Sequence, residues 1–259
     1  MIIPPIQGNF NLEDFFIYAA CDKKYFDEFG KILINSIRKN SNLSIHLHLF
    51  NPTDDQLDFC RKNNVSTTYE MVDPSVFIPA AEKWNTIPTD PVEIKKYDRT
   101  KKSMAKGYDK SIQERMMKTY FACARFIRLS EILNKNISLF SMDVDAVFRK
   151  DLSRLPDGPD LYVYKNTQFL AGGLYLTGNE NSLRFIKEYG KILKSSIEND
   201  HIYWSLDQDV LDKLVPTYQC SELPLSYIDW HMNPASHVWT AKGKRKELEV
   251  FKKESSKYA

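Results

Sequence analysis

The sequence predicts an α/β protein built on one central, mainly parallel sheet flanked by helices. Three observations carry this. FFIYAACD, residues 15–22, is a short apolar run ending in polar residues, the pattern of a strand buried on both faces. Helical and strand-like segments then alternate, the order that builds a right-handed parallel sheet. A second buried run, ISLFSM, follows a long amphipathic helix and ends on two aspartates, Asp143 and Asp145. With 259 residues, 42% of them hydrophobic, the chain reads as one domain, 1–259, with a sizeable core.

The elements follow in order. After the first strand, apolar Phe29, Ile32, Leu33 and Ile37 recur at a helical period. SIHLHLFN (44–51) is strand-like, DDQLDFCRKNN a short helix and VSTTYEMV a third strand. From 79 to 111 the chain is polar and rich in lysine, with Pro79, Pro88 and Pro91, and reads as a long loop of the kind that closes over a ligand. In the next segment Met116, Tyr120, Cys123 and Ile127 share a helical face. Beyond Asp145, DLYVYKN and FLAGGLYLTG read as strands, SLRFIKEYGKILKSSI and SLDQDVLDKLV as helices, and YQCSELPLSYIDW as extended. Residues 15–150 form a regular α/β half, 151–246 a mixed half continuous with it, and 247–259 a basic tail.

The formal net charge of +2 argues against a dedicated nucleic-acid binder. Seven Lys or Arg against three Glu between Lys242 and Lys257 make the C-terminus locally basic, a solvated tail with at most weak contact to an anionic membrane surface. Cys21, Cys60, Cys123 and Cys220 lie far apart without metal or redox spacing and read as reduced thiols. The N-terminus lacks the pattern of a signal peptide, and no apolar run has the length of a membrane span. A cytoplasmic protein is expected.

The paired aspartates need a reason. Two neighbouring carboxylates at the end of a buried strand repel each other, and desolvation raises the cost. Ligands collect at the carboxyl ends of strands in open parallel sheets, and a divalent ion between the pair would offset the repulsion. An Asx-turn is the local alternative. DVDAV also fits the nucleophile motif of haloacid dehalogenase-type phosphatases, although that motif belongs on a first strand with further acidic partners downstream.

Several segments together resemble GT-A fold glycosyltransferases, in particular the group of glycogenin and the bacterial lipopolysaccharide galactosyltransferases. SMDVDAVFRKDL is similar to their DxD segment, YFACARFIRLSEIL to the preceding helix, FLAGGLYLTG to the following strand, WSLDQDVLDKL to the Asp-Gln-Asp helix and HVWTAKGKRK to the C-terminal His/Gly/Lys segment. The order is kept from about Phe15 to Lys246. Two departures stand out. Ala171 precedes paired Gly172 and Gly173 where the family has Asn and a small residue before one glycine, and KGKRK stands where the family has Lys-Pro-Trp.

The resemblance implies a GT-A fold with a Rossmann-like, mainly parallel sheet. It implies a metal-dependent hexosyltransferase that takes a nucleotide-diphosphate sugar, UDP-hexose foremost. The acceptor would be a saccharide, a lipid-linked saccharide or a protein, and transfer would retain the anomeric configuration. It assigns Mn²⁺ or Mg²⁺ to Asp143, Asp145 and His237, with His231 a rival ligand and packing beside Trp239 the local alternative for His237. Cys21, Asp22 and Tyr25 would hold base and ribose, and Tyr25 also fits a rim aromatic. Arg125, Val144, Lys242, Gly243 and Lys244 would line the donor, with Arg128 the structural alternative to Arg125. Asp207 and Gln208 would meet the sugar, although Ser205 to Gln208 also reads as a helix-capping box. A DxD-type phosphatase and a non-catalytic sugar-nucleotide or glycan-binding relative are the alternatives.

Overall fold

The computed structural model describes residues 1–10, 15–84, 87–104, 111–152, 161–165, 169–241 and 243–259. Lys242 lies outside them. The N-terminal β1 (Gln7–Asn9) precedes β2 (Phe15–Asp22). From there α1 (Lys23–Tyr25) runs through a π-helical turn, Phe26–Gly30, into α2 (Lys31–Asn40). β3 (Ser44–Phe50), α3 (Asp54–Lys62) and β4 (Ser66–Glu70) complete the first βαβαβ unit. The capping box of α3, Thr53 with Gln56, sets its start.

The stretch read as a loop is largely helical: α4 (Ile78–Lys83) and α5 (Pro91–Met104) occupy it. The reason is positional. Pro79 and Pro91 sit in the first turn of each helix, where a missing N–H costs nothing. The long α6 (Ile112–Ile132) is capped by Ser111, whose Oγ accepts from the Glu114 amide at 3.1 Å. It leads into β5 (Ser138–Met142) and β6 (Ala146–Phe148). Then come β7 (Leu161–Lys165), β8 (Phe169–Leu176), α7 (Glu180–Glu198), α8 (Leu206–Leu214), β9 (Cys220–Glu222), β10 (Ile228–Asp229), β11 (Val238–Thr240) and α9 (Glu249–Ser255).

Among the described residues the main sheet has the order β1-β4-β3-β2-β5-β8-β7-β9, and a small sheet has the order β10-β11-β6. β4, β3, β2 and β5 run parallel, while β8 is antiparallel to β5. The main sheet runs without a break from the first half of the sequence into the second. Side chains of β2 alternate between two cores: Phe16 and Tyr18 pack toward α6 and α7, and Phe15, Ile17, Ala19 and Cys21 toward α2. The chain leaves β2 toward β3 on one side and returns to β5 on the other. The carboxyl ends of β2 and β5 therefore flank the switch point, where open α/β sheets bind ligands.

The C-terminus is not a solvated tail. Phe251 and Tyr258 are buried with Val147, Trp239 and Ala241, and Asn35 and Asn40 hold Tyr258 through its carbonyl and its hydroxyl at 2.9 and 3.0 Å. The apolar side chains in the basic run fasten it to β6 and β11. No helix among the described residues is long and apolar enough to cross a membrane.

Candidate active site

β5 ends at Met142, so Asp143 and Asp145 emerge at the switch point beside the end of β2. Asp143 accepts a short hydrogen bond from Arg125 Nη1, and Arg125 Nη2 donates to the Ala171 carbonyl at 3.2 Å. Burial works against the Arg125 charge, but Asp143 and then Asp207 outweigh it and hold the guanidinium above its usual pKa. Arg125 thus ties the end of β5 to β8. Gly172 makes this possible, because a Cβ there would stand 2.7 Å from Asp143 Oδ2. The Ala-Gly-Gly departure is what lets β8 run against the carboxylate.

Gln208, from α8, reaches the same strand. Its side-chain oxygen accepts from the Ala171 amide at 3.2 Å and its amide donates to the Phe169 carbonyl. The capping box proposed for it does not form: Ser205 makes no side-chain cap bond and adopts φ 70°. The Asp207 carbonyl accepts from the Tyr189 hydroxyl at 2.8 Å, and its carboxylate acts on Arg125 electrostatically. Arg125, Asp143, Asp207 and Gln208 therefore converge.

Asp145 is buried and paired with a residue the sequence reading did not choose. Lys246 Nζ lies 2.6 Å from Asp145 Oδ2. The same ammonium sits 4.4 Å from the Tyr25 ring centroid and donates to the Tyr25 hydroxyl at 3.2 Å. Desolvation, then the charge of Asp143, pushes the Asp145 pKa up to about 6 against the pull of Lys246 and Arg125. Burial disfavours the Lys246 charge, but Asp145 more than compensates, so the ammonium is held above its ordinary pKa. Lys244, the expected lysine, is exposed. The 3-10 turn Gly243–Glu247 explains the choice: with three residues per turn it brings Lys246, not Lys244, back over the site, and Gly243 starts it at φ +63°.

The remaining expectations divide. Asp22 caps α1 by accepting from the Tyr25 amide at 2.8 Å and lines a cleft of about 680 Å³ with Lys23, Asp27, Asn51, Met117 and Phe121. Phe50 and Phe121 stack at 4.4 Å in its wall. The Cys21 side chain is not at the site; it points into the core near Cys60, where burial raises its pKa. The Val144 side chain is buried as well. A larger hollow of about 1060 Å³ lies along α7, lined by Lys135, Arg184 and Lys187, and none of the site residues borders it.

His237 does not join the aspartates. Its ring meets the Asp151 carbonyl and stacks on Tyr227 at 5.7 Å. The ladder of β11 with β6 pairs Val238 with Phe148 and Thr240 with Ala146, so His237 is four residues along the strand from the position facing Asp145, about 13 Å away. His231 instead accepts from the Trp230 indole at 2.9 Å. Asp145 Oδ1 and Thr240 Oγ1, the latter on the residue paired with Ala146, are both buried without a hydrogen-bond partner. Among the described residues no group of three His, Cys, Asp or Glu is placed to hold a metal ion. The expected histidine ligand is not at the pair, and both aspartates already carry cationic partners.

No family model matches the sequence. No curated protein matches it either. Solved structures do. The glycosyltransferase GlyE of Streptococcus pneumoniae TIGR4 superposes with a TM-score of 0.57 at 14% identity, over 93% of this chain and 60% of that one. The chain has the GT-A fold of glycosyltransferases. The galactosyltransferase LgtC, in a complex with donor and acceptor sugar analogs, aligns over 94% of this chain and 96% of its own at a TM-score of 0.53 and 14% identity. The bifunctional glycosyltransferase WbbM matches at a TM-score of 0.56 and 14% identity, over 94% of this chain and half of its own. The chain thus spans nearly the whole of LgtC but less than two thirds of GlyE and WbbM.

Proposed function

We propose that the protein is a glycosyltransferase that moves a hexose from a UDP-sugar to a saccharide-bearing acceptor with retention of configuration. The observation that carries this is the meeting of Asp143, Arg125, Gln208 and the Asp145–Lys246 pair at the switch point of a GT-A fold. The cleft beside Asp22, with its Phe50–Phe121 wall, suits a nucleoside. The diphosphate would then extend toward Lys246, and the sugar toward Asp143, Asp207 and Gln208.

In the reaction the bond from the anomeric carbon to the diphosphate oxygen breaks, and a bond forms between that carbon and an acceptor hydroxyl oxygen. On the retaining route the acceptor proton passes to the departing diphosphate oxygen. The Lys246 ammonium would stabilise the charge that develops on that oxygen, and Arg125 would hold Asp143 in place to orient sugar hydroxyls. Asp207 and Gln208 would border the anomeric carbon. All four cysteines are free thiols, in keeping with the cytoplasmic setting we propose.

The phosphatase alternative is weakened by the clamp of Arg125 on the residue that would be its nucleophile. A thermal-shift panel of nucleotides and sugar nucleotides tests the proposal, because a ligand of the native state raises its apparent stability by mass action. UDP and at least one UDP-hexose are expected to raise Tm. A panel with no shift from any nucleoside diphosphate would refute it, and UDP binding without hydrolysis or transfer would leave a non-catalytic relative.

A further inference from the structure

The expected metal site is incomplete, and a lysine stands in it. We propose that Lys246 is the resident cation of the donor site, so that donor binding and transfer need no divalent metal ion. This rests on the reading of the site as a UDP-sugar site.

Three observations support it. First, the charges are already balanced. Asp143 is paired with Arg125, and Asp145 with Lys246. A divalent ion would add two positive charges to a carboxylate pair that two side-chain cations already neutralise, and Arg125 is fixed by the Ala171 carbonyl as well. Second, Lys246 is built in rather than loosely placed. Its side chain is 16% exposed, and its ammonium lies 4.4 and 4.7 Å from the ring centroids of Tyr25 and Phe29. An ammonium has three N–H donors; Asp145 and Tyr25 take two, which leaves one for a phosphate oxygen. Third, the histidine expected at the pair is turned away from it: the His237 ring meets the Asp151 carbonyl.

The position of Lys246 is secured from behind. Gly243 begins the 3-10 turn that carries it, and α9 buries Phe251 against Trp239 and Ala241 just beyond. By this anchoring the folded C-terminus holds a cation over the diphosphate site. The Arg245 guanidinium stacks over Trp230 at 4.9 Å, which leaves Lys246 as the cation of this turn paired to an aspartate of the site.

The test is calorimetric titration of the full chain with UDP and with uridine, once in EDTA and once in excess Mn²⁺. The wild-type protein is expected to bind UDP in EDTA, with a Kd within about threefold of that in Mn²⁺, a difference under 1 kcal/mol. Lys246→Met should raise the Kd for UDP by roughly tenfold or more, as loss of one charge-assisted contact does, and leave uridine nearly unchanged. Lys246→Arg should recover part of the loss. UDP binding that appears only with Mn²⁺, or a Lys246→Met variant with an unchanged preference for UDP over uridine, would overturn the inference while leaving the glycosyltransferase reading in place. Absence of UDP binding in both buffers would overturn both. The wild-type arm needs no variant and stands even if Lys246→Met folds poorly.

Discussion

Two buried carboxylate–arginine networks flank α6, and they differ in a way that separates structure from function. In the first, Glu70 is fully buried and both of its oxygens are taken: Tyr120 donates to one at 2.6 Å and Arg128 Nε to the other at 2.7 Å. Arg128 also binds Glu131 at 2.7 Å. In the second, Arg125 grips an Asp143 whose side chain is 35% exposed, and Asp145 keeps a buried oxygen without a hydrogen-bond partner. One helix, three residues apart, supplies both arginines. A closed network with satisfied acceptors ties strands to a helix; an open one with orphaned acceptors is built to meet a ligand.

The largest expected effect breaks the closed network. Arg128→Met leaves Glu70 buried without its cation and should cost about 3–5 kcal/mol of stability in urea unfolding. Adding Glu70→Gln to that variant should recover much of the loss. A comparable cost from Arg128→Met and from Lys246→Met would erase the distinction between the networks.

Lys246→Met acts on the open one. Asp145 already sits near a pKa of about 6 and can take a proton when its partner is lost, so little stability is expected to change. Transfer should fall by a factor of roughly 10²–10³, about 2.7–4 kcal/mol, as when a single donor to developing negative charge is removed. The falling rate with a steady unfolding midpoint is the signature to look for.

Gly172→Ala sharpens the comparison from the side of β8. The new methyl would meet Asp143 Oδ2 at 2.7 Å and force the carboxylate or the strand to move, at a cost of about 1–3 kcal/mol. Donor affinity should drop with it. Gly178→Ala would also be strained, at φ +75°, but lies against Ile137 away from the site, so it should lower stability and leave donor affinity alone.

The smallest effect is a pH dependence beneath the sheet. Burial pushes the His46 pKa down to about 3, with Ser66 and Thr68 as its neutral partners at 3.0 and 2.9 Å. Its unfolded value is near 6.5, so as pH falls through 6.5 the unfolded chain takes the proton and the folded one does not. The stability it confers is whole above pH 6.5 and is lost toward pH 3, at up to about 1.4 kcal/mol per pH unit. Denaturant midpoints of His46→Gln between pH 7 and pH 5 should fall less steeply than those of the wild type.

Much of this was legible in the residues themselves. The buried strands announced themselves by apolar runs, and the DxD by a charge pair that folding alone does not explain. What stayed hidden depended on geometry at a distance. Nothing in KGKRK says which lysine turns inward; the 3-10 turn and the anchor of α9 decide it, and both rest on Phe251 and Tyr258 packing against residues far earlier in the chain. His237 sits a suitable distance from a Gly/Lys segment in sequence, yet the register of β11 on β6 sends it away. The polar α5 was hidden because its proline marks a helix start and its lysines mark a solvent face; Arg99, bound to Asp209 at 2.6 Å, ties it to the helix that carries Gln208.

The central claim is that the switch point holds a sugar nucleotide and transfers its hexose. Proton NMR of the purified protein with UDP-hexoses and a panel of saccharide acceptors tests it most directly, with the anomeric coupling read before mutarotation. The account predicts a new glycoside of the same anomeric configuration as the α-linked donor, formed together with one equivalent of UDP and lost in the Lys246→Met variant. A β-linked product would contradict the retaining route and move Asp207 to the role of base, and intact UDP-hexose across the whole donor and acceptor panel would contradict the account itself.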